Sequence, residues 1–475
     1  MVPMPVKKIY LIGVCGTAMG ALAGMLKDQG HQVTGSDAAI YPPISDFLEA
    51  KGIPILAGPR PENLDQAAPD LVVVGNVVRR DNPEAVRMRQ LGLDHLSLPQ
   101  ALDRYFLTGR QPVVVAGTHG KTTTAALLAW LLAVSGKDPS FLVGGIVRNF
   151  EANYKLGNGP YFVIEGDEYD TAYFDKGPKF WHYRPLWTIL TGVEFDHGDI
   201  FADLKDIISV FERFVSLIPA AGRLLVFAED AAAMNLAGRA RCPVIPYGFG
   251  PQALIRARAV SLGPGEVSFD LERRGRLLGH FRSRLPGRHN LANTLAALGL
   301  LLEMGIDPAN LAEGLRRFGG IKRRQEIIGQ PGDVLVLDDF AHHPTAVRET
   351  LAALKEFYPH RRLVAVFEPR TNSSRRRFFQ DDYAQAFHSA DLVLVRQPPH
   401  LEKIPEEERF SSLQLVQDLT AQRLAARYFP QTEAILAHLS EEARPGDLVA
   451  ILSNGGFDGL HTRLLAALSE RFGQE

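Results

Sequence analysis

Apolar residues recur along the chain in short strand-like runs, each closed by a glycine- or proline-marked turn and followed by a helical pattern. Three stretches show this most clearly. In the first, Lys8–Ile12 runs into Gly13-Val14-Cys15-Gly16 and then an Ala/Leu/Met stretch reaching Lys27. In the second, 113–116 enters the turn 117–121 and a helical run over 122–134. In the third, 334–337 leads through 338–343 to a helix with Pro344 in its first turn, where proline is tolerated. Further β runs at 71–74, 186–190, 363–366 and 392–395 alternate with helical segments. This alternation predicts an α/β protein with mostly parallel sheets, and the three restarts predict three domains. The turn-rich stretches 107–112 and 318–324 read as linkers, which places the domains at 1–109, 110–324 and 325–475.

Length agrees: 475 residues exceed what one hydrophobic core organises. The chain is 46% hydrophobic and 22% charged, with a net charge of −2 and a mean hydropathy of −0.05. Nothing global argues for nucleic acid or an anionic membrane. The basic clusters Arg316-Arg317 and Arg375-Arg376-Arg377 lack interleaved aromatics, so no nucleic-acid partner is expected. Two cysteines, Cys15 and Cys242, give no disulfide framework and suit a reducing cytoplasm. No stretch resembles a signal peptide, and the longest apolar run, 125–134, is about half of the ~20 residues that a membrane span requires.

The chemistry concentrates in the second stretch. Gly117-Thr118-His119-Gly120-Lys121-Thr122-Thr123 joins an apolar strand to an apolar helix. Its glycines let backbone N–H groups converge on phosphate oxygens at the positive end of a helix. Lys121 then reaches the outer phosphates, and the Thr122 hydroxyl is offered to Mg²⁺. Val115 stands where the full Walker pattern has its first glycine, so the loop is a shorter variant. A glycine-rich turn with no ligand is the plain alternative. Downstream, an apolar strand ends in Glu165-Gly166-Asp167-Glu168-Tyr169-Asp170, whose carboxylates suit a hard cation such as Mg²⁺. A third strand leads to Glu194-Phe195-Asp196-His197. From the residues alone His197 is either a ligand or a loop histidine, since imidazole favours softer metals.

Together these motifs resemble the Mur ligases, the ATP-driven amide-forming enzymes of the peptidoglycan peptide. The resemblance rests on 117–123, Glu165-Gly-Asp-Glu-Tyr-Asp, Glu194-Phe-Asp-His, Gly287-Arg-His-Asn-Leu-Ala-Asn and Asp338-Asp-Phe-Ala-His-His-Pro, in that order along the chain. It implies a Rossmann-like UDP-sugar domain, a P-loop ATPase domain and a Rossmann-like C-terminal domain that closes over the amine. The turn Gly13-Val-Cys-Gly-Thr-Ala-Met-Gly looks like the branch that adds alanine to muramate. The segments 168–176, Phe367-Glu-Pro-Arg-Thr-Asn-Ser and Ser453-Asn-Gly-Gly-Phe look closer to the murein-recycling branch, with Tyr169 and Phe340-Ala341 departing from the alanine-adding pattern. That branch joins UDP-N-acetylmuramate to L-alanyl-γ-D-glutamyl-meso-diaminopimelate.

What the resemblance implies for residues follows. Lys121, Glu165 and His197 are catalytic. Thr122 and Glu165 hold one Mg²⁺, and Glu165 and His197 a second. His289, Asn290 and Asn293 lie near the adenine, although helix capping also explains the asparagines. Arg324 contacts ATP on closure and Asp339 meets the ribose. Gly13, Cys15, Gly16 and Thr17 cradle the UDP diphosphate, with Asp37 and Asn76 as sugar-nucleotide contacts; a turn role for Asp37 stays open. His343, Arg370, Asn372 and Asn454 face the incoming peptide. Glu212 stands where several relatives carry a carbamylated lysine, so none is expected here. The expected cofactors are ATP and Mg²⁺, the partners small molecules only, and the protein a monomer or weak homo-oligomer. The alanine-adding ligase, a P-loop small-molecule kinase and a non-catalytic UDP-sugar sensor are the competing readings.

Overall fold

The computed structural model describes residues 5–473 apart from His197 and Asp199. It contains three main sheets, with one apolar cluster running from the first sheet to a face of the central sheet and further clusters on the central and third sheets, and the α/β architecture is the predicted one. In the first, five parallel strands lie in the order Ile55–Ala57, Gln32–Asp37, Lys8–Ile12, Leu71–Val74, His95–Ser97. Strand order reverses beside Lys8–Ile12, and such a switch point opens a crevice at the carboxyl ends of the strands. The Gly13 turn and the start of helix Thr17–Asp28 occupy that crevice.

The central sheet has ten strands, seven of them parallel. Gln111–Ala116 lies between Tyr161–Gly166 and Trp187–Leu190, so three strand ends open side by side. Val113, Val114, Val115 and Ala116 are wholly buried, as expected of a parallel strand covered on both faces. Helix Lys121–Val134 buries its Ala/Leu surface against the sheet and helices Arg288–Glu303 and Pro308–Arg316. The antiparallel strands Glu266–Arg273 and Arg276–Ser283 extend one edge of the sheet, and the two-residue turn between them was not anticipated from the sequence pattern. A separate hairpin, Asp170–Ala172 with Asp175–Pro178, reaches the first domain. There Arg89 donates to Tyr173 Oη at 2.7 Å and Ser97 Oγ to Asp175 at 3.2 Å.

The third sheet runs Glu326–Gly329, Leu335–Asp339, Asp447–Leu452, Arg362–Phe367, Leu392–Arg396, Ala425–Phe429, with only the first strand antiparallel. Separate cores on its two faces make it a three-layer sandwich. Helix Pro344–Phe357 carries Pro344 in its first turn, as expected.

Candidate active site

Two glycines shape the phosphate loop. Gly117 (φ +130°) would drive a Cβ into Thr191, and Gly120 (φ +79°) would drive one into Asn293. Gly120 is also the residue before helix Lys121–Val134, in the left-handed conformation that glycine adopts most readily. The neighbouring strand end clamps the loop. Thr118 N–H donates to Gly192 O at 2.9 Å, and Thr191 Oγ1 donates to His119 O at 2.5 Å.

Lys121 Nζ donates to Gly117 O at 2.6 Å and pairs with Glu168 at 3.0 Å. Burial works against this ammonium, but Glu168, Asp167 and Glu165 outweigh it and hold its pKa above the ordinary lysine value. Thr122 Oγ1 donates to Glu165 Oε2 at 2.8 Å, and the other Glu165 oxygen accepts from Gly144 N–H. Burial, and then the nearby Asp167, raise the Glu165 pKa despite those donors. A buried oxygen pair of this kind beside a phosphate loop fits a hard divalent cation. The third predicted ligand, His197, lies outside the described residues.

Thr118, His119, Gly120, Lys121, Thr122, Gly144, Glu165 and Asp167 line one cavity of about 950 Å³ to which all three domains contribute. Gly16, Thr17 and Asn76 come from the first domain, and the predicted residues 118–123, Glu165, His289, Asn290 and Asn293 from the second. Arg324 lies at the linker, with Asp339, His343, Asn372 and Asn454 from the third. Thr123 is buried in the helix start. Asn293 Nδ2 donates to Asn290 Oδ1 at 3.3 Å, and Asn290 Nδ2 donates to Gln325 at 2.9 Å, so these asparagines tie a helix start to the linker. Arg324 stacks over Phe340 at 4.5 Å, and Asp339 accepts the N–H groups of Gln325 and Ala341, each at 2.7 Å. His289 Nδ1 and Asn454 Oδ1 are buried without a hydrogen-bond partner, which marks two places where a ligand would satisfy the wall.

Gly13 and Asp37 line a second cleft of about 460 Å³ in the first domain. Asp37 accepts Cys15 N–H at 2.9 Å and Ala39 N–H at 3.1 Å, so it shapes the turn through backbone. Arg370 packs on Gly455 and points to Glu368 at 3.5 Å; among the described residues it is not part of the large cavity's wall, whereas Thr371, Asn372 and Ser373 are.

Several participants were missed in the sequence. Glu194 accepts from Thr345 Oγ1 at 2.9 Å and faces His119 Nε2 at 3.3 Å. First the His119 hydrogen bond, against burial, and then its charge pull the Glu194 pKa down to about 2. His343 accepts Thr345 N–H through Nδ1 (3.3 Å) and donates through Nε2 to Phe195 O (3.2 Å). His119, Glu194 and His343 are close enough to suggest a metal cluster. With both His343 nitrogens engaged, the group reads instead as a latch between the phosphate loop and the third domain. Lys179 and Glu368, both buried, also escaped notice. Glu194 opens the Glu-Phe-Asp-His motif and Glu368 lies inside Phe367-Glu-Pro-Arg, so these two carried a signal without a role, and Lys179 carried none.

Fold and site define a three-domain α/β protein whose phosphate loop opens into a cavity that all three domains line. The chain belongs to the Mur ligase family of ATP-dependent ligases, whose catalytic domain matches residues 8–108, middle domain 115–301 and glutamate ligase domain 323–455. A relative from Escherichia coli (strain K12), a UDP-N-acetylmuramate–L-alanyl-γ-D-glutamyl-meso-2,6-diaminoheptandioate ligase, is 38% identical, covering 98% of this chain and 99% of its own. A UDP-N-acetylmuramate–L-alanine ligase from Desulfitobacterium hafniense (strain Y51) is 34% identical over 94% of this chain and 97% of its own. The crystal structure of a murein peptide ligase from Psychrobacter arcticus 273-4 is 35% identical, with a TM-score of 0.73, covering 98% of this chain and 99% of that one. No helix among the described residues is long and apolar enough to cross a membrane.

Proposed function

We propose that the protein joins the lactyl carboxylate of UDP-N-acetylmuramate to the free amine of L-alanyl-γ-D-glutamyl-meso-diaminopimelate at the expense of ATP, in the cytoplasm, as a step of murein recycling. The observation that carries this reading is the single cavity in which a phosphate loop, an uncapped helix N-terminus of the first domain and the strand-end loops of the third domain meet. The greater similarity to the tripeptide-adding relative than to the alanine-adding one supports the choice of amine.

The chemistry follows from the residues. A carboxylate is a poor electrophile, so a carboxylate oxygen attacks the γ-phosphorus of ATP, releasing ADP and leaving an acyl phosphate. The amine then attacks the acyl carbon, and phosphate departs with the former carboxylate oxygen. Lys121, parked on Gly117 O and Glu168, turns to the phosphates when ATP enters. The helix Lys121–Val134 points its N–H groups at the same place. Thr122, Glu165 and, by the family resemblance, His197 would hold Mg²⁺, which supplies neutralisation of charge on the transferred phosphoryl group. At the other end, the turn at Gly13 and Gly16 with Thr17 takes the UDP diphosphate, and Asn290, Asn293, Arg324 and Asp339 take the nucleoside of ATP. Asn372 and Asn454 line the peptide end, with Arg370 set to pair with a peptide carboxylate.

Phosphate release by the purified protein with ATP and UDP-N-acetylmuramate tests this. Release with the tripeptide and not with L-alanine is expected. Alanine-driven release would reassign the protein to the alanine-adding reaction, and a phosphorylated product without a new amide would make it a kinase.

A further inference from the structure

Lys179 ends the hairpin that docks on the first domain, opening the short turn Lys179–His182. Its side chain is 9% exposed, and its Nζ lies 4.2 Å from the Tyr169 ring centroid. Nζ donates to Asp167 Oδ2 at 2.8 Å and to Tyr169 Oη at 2.9 Å. An ammonium has three donors, so one remains on a side chain that lines the central cavity. Burying such a pair gains little stability over apolar residues of the same size, which turns attention to what the charge meets.

The charge count of this wall is informative. Glu165, Asp167 and Glu168 face Lys121 and Lys179, with Asp167 acting on both lysines. Three carboxylates against two ammoniums give −1. A divalent cation on Glu165 would offset this net negative charge, so that an anionic group is no longer repelled from the Lys179 ammonium. Lys179 lines the same cavity as Gly16, Thr17 and the phosphate loop, the space that the substrate's sugar and lactyl arm would occupy in the proposed reaction.

We infer that Lys179 binds the lactyl carboxylate of the UDP-muramate substrate and holds it for attack on ATP, an inference that rests on the proposed ligase reading. Asp167 and Tyr169 fix the ammonium in place, and the hairpin ties that position to the docked first domain.

Calorimetry on the full-length wild type, Lys179→Gln and Lys179→Arg tests this with two probes, UDP-N-acetylmuramate and UDP-N-acetylglucosamine, which lacks the lactyl carboxylate. Losing one charge-assisted hydrogen bond predicts a loss of about 10- to 100-fold for the muramate in Lys179→Gln. Binding of the glucosamine should change less than about threefold, which also certifies folding, and Lys179→Arg should recover much of the loss. In turnover the KM for UDP-N-acetylmuramate should rise while that for ATP holds. Equal weakening of both nucleotides, or of neither, would overturn the inference. A wild-type protein that forms no amide would overturn the ligase reading instead, and the binding comparison would still decide the role of Lys179.

Discussion

Acidification gives a test of the latch between the second and third domains, and its size follows from one histidine. His343 is 7% exposed, packed against Phe379 and His119 with ring centroids 4.7 Å away in each case. Burial, reinforced by the neighbouring His119 and opposed by Asp196 and Glu194, pushes its pKa down to about 4, with His342 acting the same way as His119. In the unfolded chain the imidazole takes its proton near pH 6.5. Between these values the unfolded state binds the extra proton, so stability falls as pH is lowered from about 6.5 towards 4. At pH 4.5 the difference amounts to about 2–3 kcal/mol. The geometry explains why: a proton on Nδ1 removes the acceptor of Thr345 N–H and places a charge in a nearly closed site. His343→Asn keeps a capping acceptor and removes the titration. Urea unfolding of both proteins at pH 7 and pH 4.5 should show the wild type losing about 2–3 kcal/mol more than the variant. Parallel losses would refute the reasoning. Activity should fall as His343 takes its proton, because the added charge sits against His119 of the phosphate loop.

Replacing Lys121 with Ala should lower turnover by about 100- to 1000-fold or more while leaving UDP-sugar affinity intact, as read by ADP release and calorimetry. Unchanged turnover would contradict the assigned role. Gly120→Ala places a Cβ against Asn293 at φ +79° and should raise the KM for ATP, with a loss of roughly 1–2 kcal/mol in stability; denaturant midpoints and ATP titration check it. Glu368 is wholly buried, accepts Ser453 Oγ at 2.6 Å and pairs with Arg396 and Arg370. Glu368→Gln releases the arginines, so the tripeptide KM should rise about tenfold or more with the KM for UDP-N-acetylmuramate unchanged; steady-state kinetics with each substrate varied would show it.

The sequence made the three-part α/β plan legible because parallel strands covered on both faces read as continuous apolar runs, as at 113–116 and 363–366. The phosphate loop was legible for a different reason: glycine at 117 and 120 is demanded by backbone geometry, which composition alone exposes. The edge strands Glu266–Arg273 and Arg276–Ser283 were not, since their alternation of buried and exposed positions competes with no glycine-marked helix start. The roles of Lys179, of Thr345 and of Glu368, which stands inside the Phe367-Glu-Pro-Arg motif, were hidden for a shared reason. Each acts through a partner far away in the chain or on another domain: Thr345 meets Glu194 and Glu368 meets Ser453, while Lys179 takes its meaning from a cavity wall. Nothing in a single sequence announces such pairs. Asp37 illustrates the converse: its position left a sugar contact and a turn role open, and its carboxylate accepts two backbone N–H groups of the turn.

The central claim is that the γ-phosphoryl group goes to a carboxylate and leaves with one of its oxygens. UDP-N-acetylmuramate labelled with ¹⁸O in the lactyl carboxylate, incubated with ATP, tripeptide and the protein, tests it by mass spectrometry of the released phosphate. One labelled oxygen per amide formed is the predicted result. Unlabelled phosphate, with or without an amide, would contradict the account.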